Sequence, residues 1–99
     1  MEIVVQQEGT PYEIALEGRL DTQTSPQLDE FATKLYKRGI NDIIIDMSEC
    51  EYVSSAGLRV LVSLQKRATS GGSLALRNVQ PDVMDVLEMT SLDQVLTLI

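Results

Sequence analysis

The sequence predicts a small α/β domain: a mixed β-sheet, opened by an antiparallel hairpin and continued by parallel strands, packed with about three to four helices. Three observations point there. An alternating segment follows a turn near the start, an unbroken β-branched run stands mid-chain, and helical periodicities separate the later apolar runs. The 99 residues leave room for one domain, expected to span 1–99, and a hydrophobic content of 43% supplies its core.

Glu2 to Gln7 and Tyr12 to Gly18 read as two strands around a Gly9-Thr10-Pro11 turn. The second alternates, with Tyr12, Ile14 and Leu16 on one face and Glu13, Ala15 and Glu17 on the other. Ser25-Pro26 then marks a helix start, serine as the cap and proline at the first helical position. Leu28, Phe31, Ala32, Leu35 and Tyr36 follow at the spacing of one helical face. Gly39 ends that helix, and Lys37 and Arg38 suit the negative end of its dipole. Ile43-Ile44-Ile45, bracketed by Asp42 and Asp46, lacks alternation and fits a central strand covered on both faces. A second helix is expected from near Ser55 to Thr69, stopping at Gly71-Gly72, and Leu74-Ala75-Leu76 reads as a short strand. Pro81 opens a third helix carrying Val83, Val86 and Leu87, and Leu96 to Ile99 is expected to close the sheet. The expected order is β-β-α-β-α-β-α-β, the strands joined through helices running parallel by right-handed crossovers.

Fifteen acidic against eight basic residues give a formal charge of −7. Nucleic acid is therefore excluded as a partner, since it demands a basic face, and anionic lipid surfaces are disfavoured. Cys50 is the sole cysteine, so no intramolecular disulfide forms; a reducing compartment fits best. The start lacks the cationic and long apolar regions of a secretory signal, and no apolar run reaches membrane-spanning length. The expected location is cytoplasmic, without direct membrane insertion.

Histidine is missing altogether, which removes the commonest general base and, with a single cysteine, the usual zinc sites. Serine–histidine and cysteine–histidine arrangements fall with it. Gly71-Gly72 follows a helix instead of joining a strand to a helix start, so no phosphate-cradling loop is read there. Spacing alone leaves a two-carboxylate hydrolase open, yet three tyrosines, one phenylalanine and no tryptophan make no sugar platform. The expectation is a binding protein, not an enzyme, with no metal and no cofactor.

The segment from Ile45 to Val62 stands apart. A buried strand ends near Met47, a polar loop follows, and a helix begins at Ser54-Ser55. Ligands and partners of open parallel sheets meet the carboxyl ends of the strands, and a helix start carries unpaired N–H groups that favour an anion. From spacing alone, Ser54 or Ser55 is an N-cap and Gly57 a close-packing position in the first turn.

Asp46-Met47-Ser48 followed by Val53-Ser54-Ser55-Ala56-Gly57-Leu58 resembles the signature of STAS domains, specifically bacterial anti-sigma-factor antagonists. Glu17-Gly18-Arg19-Leu20-Asp21 resembles that family's other recurrent segment, and the element order matches the STAS fold along essentially the whole chain. The resemblance implies a partner switch. The unphosphorylated antagonist binds an anti-sigma factor, itself a serine kinase of the histidine-kinase ATPase fold, and so frees the sigma factor. The kinase phosphorylates the serine two residues before the Gly-Leu pair, here Ser55, and a metal-dependent serine phosphatase reverses the step. Many members carry aspartate just before the acceptor; this chain has Ser54, the reserve acceptor.

Through the same resemblance, Asp21, Ser54, Ser55, Gly57, Leu58 and Arg59 are expected to contact the partner, and Asp46 to lie on the rim around Ser55. From the residues alone, Asp21 caps the turn into Thr22–Ser25, Asp46 ends its strand by bonding loop amides, and Leu58 and Val62 are core. Cys50 has no basic neighbour in sequence and reads as structural; Glu49 and Glu51 read as a solvated face. Two other functions compete: a passive STAS subunit of a lipid or anion transport complex, and a module holding a nucleotide at the same helix start.

Overall fold

A computed structural model describes residues 1–99. Its elements are β1 (Glu2–Gln7), β2 (Tyr12–Leu20), α1 (Ser25–Lys37), β3 (Asp42–Asp46), β4 (Cys50–Val53), α2 (Ser55–Ala68), β5 (Ser73–Arg77) and α3 (Pro81–Met89), followed by a 3-10 turn at Leu92–Gln94. The main sheet runs β1-β2-β3-β5, with β1 antiparallel to β2 and the others parallel. The mixed α/β architecture is the expected one.

Alternation sorts the sheet into two faces. Tyr12, Ile14 and Leu16 of β2, Ile43 and Ile45 of β3, and Leu74 and Leu76 of β5 are buried in one core. Leu28, Ala32 and Leu35 of α1, Leu58, Leu61, Leu64 and Ala68 of α2, and Val83 and Leu87 of α3 pack into it. The opposite face carries no helix-packed core. There Arg77 Nη1 meets Glu13 Oε1 at 2.6 Å, and its Nη2 lies 3.7 Å from Asp46 Oδ2. Gln6 bridges both, accepting from Arg77 at 3.2 Å and donating to Asp46 at 3.5 Å. This polar network ties β1, β2, β3 and β5 together.

The structure departs from the expected elements in three places. First, the loop after β3 contains a strand. β2 runs on to Leu20, bends at Gly18 (φ +111°), and pairs its last residues in parallel with β4. Glycine adopts that φ without the Cβ clash other residues meet. So β2 has β3 beside its first half and β4 beside its second.

Second, the closing strand shrinks to a single bridge between Leu98 and Leu76, held by Leu76 N–H to Thr97 O and Ile99 N–H to Leu76 O. Third, Ser25 is the first residue of α1, buried, and the cap position is Thr24. No side chain caps this helix; a closed turn precedes it instead. Asp21 Oδ1 accepts from the Gln23 and Thr24 amides at 3.0 Å each, and Thr24 Oγ1 accepts from the Asp21 amide at 2.8 Å. This reciprocal turn pairs amides just ahead of the helix, and the Ser25 and Gln27 amides of its first turn bond the backbone oxygens of Asp21 and Thr24 at 2.8 and 2.9 Å.

Candidate functional site

Two strand ends and one helix start build the site. Ser54 N–H donates to Leu20 O at 2.9 Å, which fastens the entry of α2 to the end of β2. Ser54 sits in extended backbone as the N-cap, and its Oγ accepts from Gly57 N–H at 3.2 Å. One residue later Ser55 occupies the first helical position, exposed, and takes part in none of the side-chain hydrogen bonds. The two serines left open by spacing are thus unequal: Ser54 is spent on the cap, and Ser55 is free.

Gly57 explains how α2 comes so close. A Cβ at this position would stand 2.7 Å from Leu20 O, 2.9 Å from Leu20 Cγ and 3.0 Å from Val53 Cγ1. A side chain there must push the helix off the sheet. Gly57 is buried, so the expectation that it touches a partner gives way to a packing role. Leu58 is also buried, at 8% exposure; it belongs to the core, and its remaining surface opens beside α2. Arg59 is exposed and pairs with no carboxylate.

Asp21, half-buried, follows Leu20 directly and so lies at the same strand end as the start of α2. The Thr24 amide is the largest influence on its carboxyl, which lies below the usual carboxylate range; the Thr24 hydroxyl, the Gln23 amide and Arg19 act in the same direction against partial burial. Arg19 Nε lies 4.0 Å from Asp21 Oδ2, while its guanidinium covers the Tyr52 ring at 4.1 Å from the centroid. Arg19 and Tyr52 were not singled out from sequence. Only Arg19 falls inside a recurrent segment; Tyr52 lies just before Val53, and the two meet because β2 and β4 pair them in register.

Asp46 is a correction. Its parity along β3 matches Asp42 and Ile44, opposite the core residues Ile43 and Ile45, so it points to the sheet face away from α2. Its Oδ1 accepts from Ser48 N–H at 2.9 Å, and its other oxygen joins Gln6 and Arg77. Burial pushes its acidity down, but the Ser48 amide and hydroxyl, Asn78 and Gln6 outweigh it and leave the pKa lowered. The rim role around Ser55 does not fit this placement; the strand-ending role does. Cys50 is buried, and that burial raises its thiol pKa.

Chemically, the Ser55 turn offers an exposed hydroxyl at the positive end of a helix of 14 residues, fastened to the strand end that Asp21 follows. A phosphoryl group on that hydroxyl meets free amide dipoles and breaks no existing contact. A family model described as "Mlab, STAS domain" matches residues 3–98. The chain belongs to the STAS domain family.

The anti-sigma-B factor antagonist of Staphylococcus aureus is 29% identical to this STAS domain over 82 residues, which span 82% of this chain and 76% of that protein. The structure of an anti-sigma factor antagonist from Mycobacterium paratuberculosis matches with a TM-score of 0.86 at 20% identity, covering 98% of this chain and 83% of the other. The Bacillus cell fate determinant SpoIIAA in its phosphorylated form matches with a TM-score of 0.75 at 17% identity, covering 99% and 91%. At these identities the two structures speak for the fold of the STAS domain. None of the helices in it is long and apolar enough to cross a membrane.

Proposed function

We propose that this STAS domain acts as one module over residues 1–99, an anti-sigma factor antagonist switched by phosphorylation of Ser55. Unphosphorylated, it binds an anti-sigma factor that is a serine kinase of the histidine-kinase ATPase fold, in the cytoplasm, and so releases a sigma factor. Phosphorylation by that kinase ends the binding, and a metal-dependent serine phosphatase restores it. The chain serves as a binding regulator and carries out no catalysis of its own. The likeness to the anti-sigma-B factor antagonist of Staphylococcus aureus supports the reading, as does the likeness to SpoIIAA in its phosphorylated form.

One observation carries the choice of residue. Ser54 Oγ is engaged by the Gly57 amide, whereas Ser55 is exposed at the first helical position. A phosphate adds about −1.5 to −2 charges at neutral pH and is compatible with a helix start, so its effect falls on the interface and not on folding. A penalty of ~3 kcal/mol for burying or repelling that charge weakens binding more than a hundredfold. Asp21, with Arg19 and Tyr52 beside it, supplies the rest of the contact surface.

Tagged Ser55→Ala and Ser55→Asp forms used as baits in lysate of the source cells, with mass spectrometry of the captured proteins, test this. The expected result is an ATPase-fold kinase held by the alanine bait and lost with the aspartate bait. Identical proteins on both baits would overturn the switch and favour a passive subunit of a transport complex.

A further inference from the structure

The outward side of α2 holds a second feature, downstream of the Ser55 turn. Between α2 and Leu92 of the 3-10 turn runs a groove of about 550 Å³. Leu58, Val62 and Leu92 are its apolar lining, and the small Ser63 lies among them. Arg59 and Lys66 stand at its rim, exposed and paired with no carboxylate. The third cation on this stretch, Arg67, is already occupied, 3.6 Å from Asp29 and stacked on Tyr36 at 4.5 Å.

Shape and charge both restrict what belongs there. From Leu58 to Lys66 the helix rises roughly 12 Å, room for two turns of a second helix. The groove is open along its length, whereas pockets for small ligands enclose most of the ligand surface. The chain as a whole carries −7, so two unpaired cations beside an apolar lining are a local reversal of sign. Such a reversal selects an anionic partner at this place and repels it elsewhere.

We propose that this groove seats an acidic amphipathic helix of a protein partner. Its apolar residues, spaced i, i+3 or i+4, i+7, rest on Leu58, Val62 and Leu92, and its Asp or Glu side chains face Arg59 and Lys66. The proposal deepens the antagonist reading and rests on it for the effect of the phosphate. Arg59 is four residues after Ser55, so a phosphate on Ser55 competes for that cation and repels an acidic helix.

The full chain, labelled with nitrogen-15, is titrated with two synthetic helical peptides of about 15 residues that share one apolar stripe. One is flanked by glutamates, the other by lysines; dodecanoate serves as a small anionic amphiphile. The glutamate peptide is expected to shift the amides of residues 58–66 and Leu92. Arg59→Glu with Lys66→Glu should weaken it at least about tenfold and confer binding of the lysine peptide. Ser63→Phe, at an exposed position that spares the core, should fill the groove and weaken both.

No shift at the groove, equal binding by the charge-reversed chain, or occupation by dodecanoate alone overturns the proposal. A failed titration, with a kinase still captured by the Ser55→Ala bait and lost with Ser55→Asp, removes the groove and keeps the switch. A successful titration with identical baits does the reverse.

Discussion

Asp21 and Asp46 each end a parallel strand, each accept loop amides two residues on, and each hold a lowered pKa, yet they serve different parts of the molecule. Beyond Asp21 the end of β2 receives a helix start: Leu20 O takes the Ser54 amide, and Gly57 lets α2 settle against it. Beyond Asp46 the chain closes on itself, with Gln80 donating to Ser48 O at 2.6 Å and Arg77 covering the carboxylate. The same residue type in the same local motif stands beside a helix start at one strand end and inside a closed polar network at the other. What lies beyond the strand end, not side-chain chemistry, separates the two aspartates.

The strongest way to break this difference is to unseat the helix. Gly57→Ala places a methyl 2.7 Å from a backbone carbonyl, which cannot swing aside as a side-chain tip would. A loss of about 3 kcal/mol is expected in urea unfolding, at the upper end of overpacking costs. Kinase capture by the β2 end should fall with it, while the Arg77 network on the far face keeps its amide shifts. Stability unchanged by the substitution would show that α2 does not sit as closely as described.

The two aspartates can be compared directly. Asp46→Ala strands the Ser48 amide and removes one carboxylate from Arg77, at an expected cost of about 2 kcal/mol. It should leave partner capture intact. Asp21→Ala should cost less in stability, because its turn is only half-buried, and should reduce capture. The pH dependence follows from the signs. Both folded pKa values are lowered, so each carboxylate contributes its full stability above the unfolded value of about 3.9 and loses it as pH falls through the folded value. The gap in stability between wild type and Asp46→Asn should therefore be constant near neutrality and close below about pH 4. A gap that persists into strong acid would assign the cost to packing alone.

The same contrast explains what was legible in the sequence. Elements set by local pattern were readable: the alternation of β2, the helical faces of α1 and α2, the unbroken Ile43–Ile45 run. β4 was not, because Cys50-Glu51-Tyr52-Val53 buries only its two end residues and owes its pairing to β2, some thirty residues upstream. Asp46 is placed differently for a related reason: a position at the head of a recurrent motif says nothing about which face of the sheet the carboxylate takes. Gly57 was read correctly as a close-packing position, since a glycine in a first helical turn costs stability unless a neighbour needs the space. Leu96–Ile99 carries a strand-like composition but makes only a single bridge to β5.

The smallest expected effect is also the sharpest, since it divides adjacent residues of one type. Ser54→Ala removes the acceptor for the Gly57 amide and should cost about 1 kcal/mol, the usual worth of an N-cap. Ser55→Ala removes an exposed hydroxyl with no intramolecular bond and should change stability by less than about 0.5 kcal/mol. Phosphate incorporation should run the other way, kept in Ser54→Ala and abolished in Ser55→Ala, as read by intact mass after incubation with the captured kinase. The two readouts are independent, because one reports a backbone amide inside the turn and the other a hydroxyl facing solvent. A phosphate found on Ser54 would require the cap to open and the first turn of α2 to fray, and phosphorylation would then act on folding. A phosphate on Ser55 leaves that turn closed, so the switch can change the partner's affinity while the domain presenting it keeps its stability.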